Sequence, residues 1–148
     1  MTWMLLLLAF VAGVCMPVQF GINTQLRSVV GGPAIATAIS FFVGTVAAII
    51  VAALILREPW PEISSISNAP WWVWTGGVLG AFYILASILL TPRLGTATTL
   101  GLVIAGQMSA SILIDHLGLI RVPVHELSIP RLIGAALIVG GVALVQRF

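Results

Sequence analysis

The chain has 148 residues, of which 60% are hydrophobic and 7% charged, and its mean hydropathy is +1.19. In water it would expose apolar surface far beyond that of a soluble monomer, so lipid is its solvent and a soluble globular fold is excluded. The net charge of +2 and pI of about 9.5 rest on six scattered arginines with no lysine, which leaves no basic footprint for nucleic acid.

Charge-free runs extend from Met1 to Leu26, Ser28 to Leu56, Ile63 to Pro92, Leu94 to Ile114 and Leu132 to Gln146. A hydrocarbon core of ~30 Å takes about 20 helical residues, so four runs suffice outright and the last does if its flanking arginines snorkel. The expected architecture is all-α, an integral membrane bundle of five transmembrane helices over residues 3–22, 34–56, 71–90, 96–114 and 130–147. These make one membrane domain over 1–148, with no soluble appendage expected. The first run is longer than the roughly 7–15 residues of a secretory h-region and lacks a basic n-region, so it is expected to be retained.

Along the chain, the first helix contains Pro17 and leads into a polar turn at Asn23-Thr24-Gln25-Leu26-Arg27, closed by Gly31-Gly32-Pro33. After the second helix, a loop from Arg57 to Pro70 carries Pro59, Pro61, Pro70 and several serines, all poor helix continuers. Trp71, Trp72 and Trp74 then anchor the third helix at headgroup level. Thr91-Pro92-Arg93-Leu94-Gly95 reads as a tight turn into the fourth helix, and a polar, proline-interrupted stretch from Asp115 to Arg131 precedes the fifth.

Five is an odd number, so the two ends of the chain fall on opposite sides of the membrane. Arg57, Arg121 and Arg131 share the N-terminal side, while Arg27, Arg93 and Arg147 lie opposite. Such a balance gives the insertion machinery little preference and is what a dual-topology protein shows, although a few arginines also split evenly by chance. All four acids, Glu58, Glu62, Asp115 and Glu126, fall on the N-terminal side and hint at an outside N-terminus. A second copy inserted upside down would complete ten helices with inverted-repeat symmetry, the plan of many secondary transporters. The chain therefore reads as half of a ten-helix inverted-repeat transporter.

Small residues let helix backbones approach in lipid, and four helices carry them at helical spacing. These are Ala9, Gly13, Pro17 and Gly21; Ser40, Gly44, Ala48 and Ala52; Gly76 and Gly80; and Gly101, Ala105 and Ser109. Packing within the chain accounts for most of them.

Polar residues at depth cost free energy unless they face a partner or a wet cavity. Gln19 and Asn23 share one face of the first helix, Tyr83 and Ser87 one face of the third, and Gln107, Ser111 and Asp115 one face of the fourth. Pro17 removes a backbone hydrogen bond two residues before Gln19 and bends the helix there. Gln19, Asn23, Tyr83 and Gln107 are the candidate substrate contacts; the plain alternative is amide and hydroxyl bonding that merely holds the bundle. Asp115 beside His116 could exchange a proton near neutral pH and serve coupling or gating. An interfacial cap, or an ion pair with Arg121, is the competing reading. No acid lies in the middle of a helix, which argues against a central-carboxylate cation antiporter.

No catalytic constellation is present: there is no nucleophile and base at usable spacing and no phosphate loop, so no enzyme activity is expected. His116 and His125 share one loop without supporting ligands, and the lone Cys15 reads as a small core residue, so no metal or other cofactor is expected.

Taken in order, Gln19-Phe20-Gly21-Ile22-Asn23-Thr24-Gln25-Leu26, Phe42-Val43-Gly44-Thr45, Pro70-Trp71-Trp72, Gly76-Gly77, Leu79-Gly80-Ala81, Pro92-Arg93-Leu94-Gly95, Gly106-Gln107 and Asp115-His116-Leu117-Gly118-Leu119 resemble the YdcZ-like, half-size members of the drug/metabolite transporter superfamily. The match covers nearly the whole chain; Leu117 stands where the family often has an aromatic residue. The resemblance implies a multi-pass, five-helix protein of the bacterial inner membrane that transports a small molecule. It also implies kinship with ten-helix exporters whose halves are inverted copies. Together with the residue reading, it leads to a secondary transporter of a small organic metabolite or drug. It would work as a homodimer, antiparallel favoured, in the lipid bilayer, with a central pocket lined by helices 1, 3 and 4. A neutral or zwitterionic solute fits an amide-lined pocket better than a strong cation. The alternative is a non-catalytic membrane subunit that pairs with another small membrane protein.

Overall fold

The computed structural model describes residues 2–57 and 59–147; Glu58, counted above among the loop acids, lies outside them, as does the side chain of Arg121. Helix α1 spans Thr2–Val30 and α2 spans Pro33–Ile50, continued by a π-helical turn at Val51–Leu56. A short α3, Ile63–Ser67, sits in the loop that follows. A 3-10 turn at Trp71–Trp74 opens α4, Thr75–Leu94, and α5, Thr96–Leu117, and α6, Ile129–Arg147, complete the chain. Five of these are long and apolar enough to cross a membrane: Thr2–Val30, Pro33–Leu56, Trp71–Leu94, Thr96–Leu117 and Ile129–Arg147. The all-helical, five-span expectation holds.

Two boundaries differ from the sequence reading. The expected polar turn at 23–27 is helix, because side-chain polarity alone does not stop an α-helix. The stop comes at Gly31, whose φ of 81° is open to glycine and whose N–H closes on the Arg27 carbonyl at 3.0 Å. Pro33 then sits in the first turn of α2, where no N–H is missed. The expected turn at 91–95 shrinks to Gly95, with φ 79°, because α4 continues through Pro92 to Leu94. Pro92 has no N–H, so the Ile88 carbonyl lacks its helical donor. Arg27 Nη1 donates to that carbonyl at 3.4 Å.

The chain divides into two compact units, Met1–Val18 with Thr91–Phe148, and Gln19–Leu90. The division points within α1 and α4 adjoin Pro17 and Pro92.

In the Gln19–Leu90 unit the core is Ala36, Ile84 and Ile88, with Leu26, Val30, Phe41 and Tyr83 packed around it. Phe20 is fully buried and its ring lies 5.9 Å from that of Tyr83, tilted by 57°. Gly80 lets the Phe41 ring approach to 3.2 Å of where a Cβ would stand. The three clustered tryptophans are exposed, as interfacial anchors require.

In the other unit α5 and α6 pack as a hairpin. Gly101 is the contact that allows it, since a Cβ there would stand 2.8 Å from Val142 Cγ2. The connection turns at Gly118, φ 60°, and is then stapled. The His125 N–H donates to the Asp115 carbonyl at 2.9 Å, and the Leu127 N–H donates to His116 Nδ1 at 3.3 Å.

Candidate functional site

The Gln19–Leu90 unit holds an open groove of about 310 Å³. Its wall on α2 is Ser40, Phe41, Gly44, Thr45 and Ala48, residues that recur on one face every three to four positions; Gln19 of α1 and Ile84 of α4 complete it. Gly44 has nothing within 4 Å of its Cβ position, so this part of the small-residue stripe is open space rather than a packed seam. The lining is mostly apolar, with the Gln19 amide and the Ser40 and Thr45 hydroxyls as its polar groups and no charge. A groove of this size and chemistry accommodates a small organic solute.

Asn23 follows Gln19 by one helical turn, about 6 Å along α1. It is only 3% exposed, and its amide nitrogen has no hydrogen-bond partner. The adjacent Thr24 hydroxyl is buried and unpartnered as well. A buried donor left unpaired costs about 1–3 kcal/mol, so such groups are rarely kept without a use. One further turn along, Arg27 is half-buried and makes no ion pair among the described residues.

The remaining expected residues are placed as follows. Tyr83 is half-buried against Phe20. Ser87, its expected companion, is buried and donates to the Ile84 carbonyl at 2.8 Å, which occupies its hydroxyl locally. Gln107 lies in the middle of α5, exposed, with no hydrogen bond among the described residues. Asp115 is half-buried and ion-paired to Arg131 Nη2 at 2.6 Å. His116 is exposed and accepts from the loop backbone. Gln19, Asn23 and Tyr83 thus belong to one unit, and Gln107, Asp115 and His116 to the other.

The sequence reading missed Ser40 and Thr45 as groove lining, Thr24 and Arg27 as neighbours of Asn23, and Arg131 as the partner of Asp115. Ser40 was visible as part of a stripe, but a stripe does not say whether another helix fills it. Thr24 and Arg27 fall in the expected turn at 23–27, so their helical i, i+3 and i, i+4 relation to one another and to Asn23 was not drawn. Among the described residues no three His, Cys, Asp or Glu side chains gather as metal ligands.

Five apolar helices carrying uncharged polar groups at membrane depth define a multi-pass helical membrane protein. Residues 4–144 match the family described as "Putative inner membrane exporter, YdcZ", and the chain belongs to that family. A curated relative, Inner membrane protein YdcZ of Escherichia coli (strain K12), is 35% identical over 82 residues, covering 55% of this chain and 54% of the relative. The match thus spans about half the length of that relative. No solved structure matches the chain. Its place is the inner membrane, and its family is one of transport rather than of catalysis.

Proposed function

We propose that the protein is a secondary exporter of a small organic solute and that two copies, inserted antiparallel, form the working unit. Each chain would then act as one membrane domain, half of a ten-helix inverted-repeat transporter. The observation that carries the pairing is Gln107. A carboxamide in the middle of a membrane helix is costly in hydrocarbon, and this one faces outward with no partner among the described residues. A second chain or a solute would satisfy it. The spans support the same reading, since at most 17% of any span's apolar window is buried within the chain.

Gln19, Asn23, Tyr83 and Gln107 are the proposed substrate contacts, and the groove beside Gln19 gives the solute room. Asp115 and His116 are proposed gating residues. Their bonds to Arg131 and the Leu127 N–H tie the last turn of α5 to the start of α6, so breaking them would free that connection.

The test is solute accumulation in everted membrane vesicles supplied with a metabolite extract. The reading expects at least one solute to accumulate only in vesicles holding the chain, and Gln107→Ala to reduce that accumulation while the protein still folds. Identical solute profiles with and without the chain would overturn it.

A further inference from the structure

Among the described residues, three buried side-chain polar atoms lack a hydrogen bond, and two of them are on consecutive residues of α1: Asn23 Nδ2 and Thr24 Oγ1. The third, Thr91 Oγ1, lies on α4, whereas several other helix hydroxyls are bonded within their own helix. Ser28, Thr37, Ser87 and Ser109 each donate to a carbonyl three or four residues earlier, which satisfies them locally. Thr24 has the Phe20 carbonyl available in the same register and leaves it unused. Arg27 follows Asn23 at i+4 on the same face. Its guanidinium carries five N–H donors, of which one is placed, on the Ile88 carbonyl at 3.4 Å.

The unused groups therefore share one sign. The Asn23 nitrogen donates, the Thr24 hydroxyl is free to donate, and Arg27 adds donors and a positive charge without an acid opposite it among the described residues. Gln19, one turn before Asn23 on the same helix, lines the open groove of this unit. The complement of such a set is an acceptor with negative charge. A guanidinium and an amide one turn apart suit a carboxylate, which accepts at both oxygens.

We propose that the site takes a carboxylate-bearing solute, with Arg27 as counter-charge and Asn23 and Thr24 as hydrogen-bond donors to the carboxylate. This rests on the exporter reading and narrows its substrate class from the neutral or zwitterionic solutes suggested by the sequence to those carrying an acidic group.

The test uses the full chain in phosphatidylcholine nanodiscs and labelled benzoate, with benzamide and benzylammonium as neutral and cationic isosteres. Benzoate should bind and benzamide and benzylammonium should not compete. Arg27→Gln should weaken benzoate binding about tenfold or more, the loss of one charge-assisted hydrogen bond. Arg27→Lys should retain most of it, and Arg93→Gln, at an exposed arginine, should retain all of it. If Arg27→Gln fails to fold, Asn23→Ala provides the second reading and should also weaken benzoate. Equal benzoate affinity in these variants overturns the proposal. Binding of benzylammonium or benzamide that Gln19→Ala abolishes overturns the acidic class and leaves the groove as a solute site. An Arg27-dependent effect of phosphatidylglycerol without benzoate binding assigns the residues to a lipid headgroup and overturns the solute assignment. Failure of all three probes to bind overturns the proposal, while solute accumulation in vesicles would still stand or fall on its own result.

Discussion

The carboxylate of Asp115, in the last turn of α5, and the guanidinium of Arg131, in the first turn of α6, meet at 2.6 Å. Each charge is at the unfavourable end of its own helix dipole, an acid at a C-terminus and a base at an N-terminus. Pairing offsets both penalties at once. Arg131 Nη1 also donates to the His125 carbonyl at 3.2 Å, and the His125 N–H returns to the Asp115 carbonyl, so the connection closes into a ring.

Arg131→Gln and Asp115→Asn should each lower the thermal stability of the purified protein, and the double variant should lose less than the sum. The side chains are 36% and 23% exposed, so solvent screening holds the coupling to about 0.5–1 kcal/mol. Strict additivity in a double-mutant cycle would mean that the pair contributes nothing of its own.

Gly101→Ala should destabilise the α5–α6 hairpin by about 1–3 kcal/mol, because the new methyl meets Val142 Cγ2 at 2.8 Å and a β-branched side chain has little freedom to retreat. Val142→Ala in the same chain should restore much of the loss. Denaturation of the three variants in one detergent checks this; no rescue by Val142→Ala would place the strain elsewhere.

Pro92→Ala restores an N–H that can reach the Ile88 carbonyl, the group that Arg27 now serves. The stability cost of Arg27→Gln should therefore be smaller in the Pro92→Ala background than in the parent chain, by up to about 1 kcal/mol. An equal cost in both backgrounds would mean that the Arg27 bond to Ile88 does not stabilise the fold.

Gly44→Leu should fill the groove beside Gln19 without disturbing the backbone, since nothing stands within 4 Å of the Gly44 Cβ position. Thermal stability should be unchanged or higher, a glycine in a helix costing about 1 kcal/mol against a good helix former. Solute accumulation in vesicles should fall to a small fraction. Full transport by a stable Gly44→Leu chain would remove the groove from the solute path.

The five spans were legible in the sequence because apolar composition and length dictate them in lipid. Their ends were less so. Asn23 to Arg27 look like a turn by polarity, yet a helix tolerates them, and only Gly31 with positive φ stops it. The amide pair Gln19 and Asn23 was legible from i, i+4 spacing. That Asn23 is buried and Gln19 lines a groove depends on where α2 and α4 pack, which no local pattern states. For Asp115 the sequence offered the nearby Arg121 as an ion partner; the pairing with Arg131, sixteen residues on, depends on the path of the loop after Gly118 and is not a matter of distance along the chain.

The measurement that bears most directly on the exporter reading is topology. Single cysteines placed at each end of the chain in a Cys15→Ser background are labelled in intact cells with a membrane-impermeant thiol reagent. An antiparallel pair predicts that both ends label, in comparable fractions of the molecules. Labelling confined to one end would contradict it.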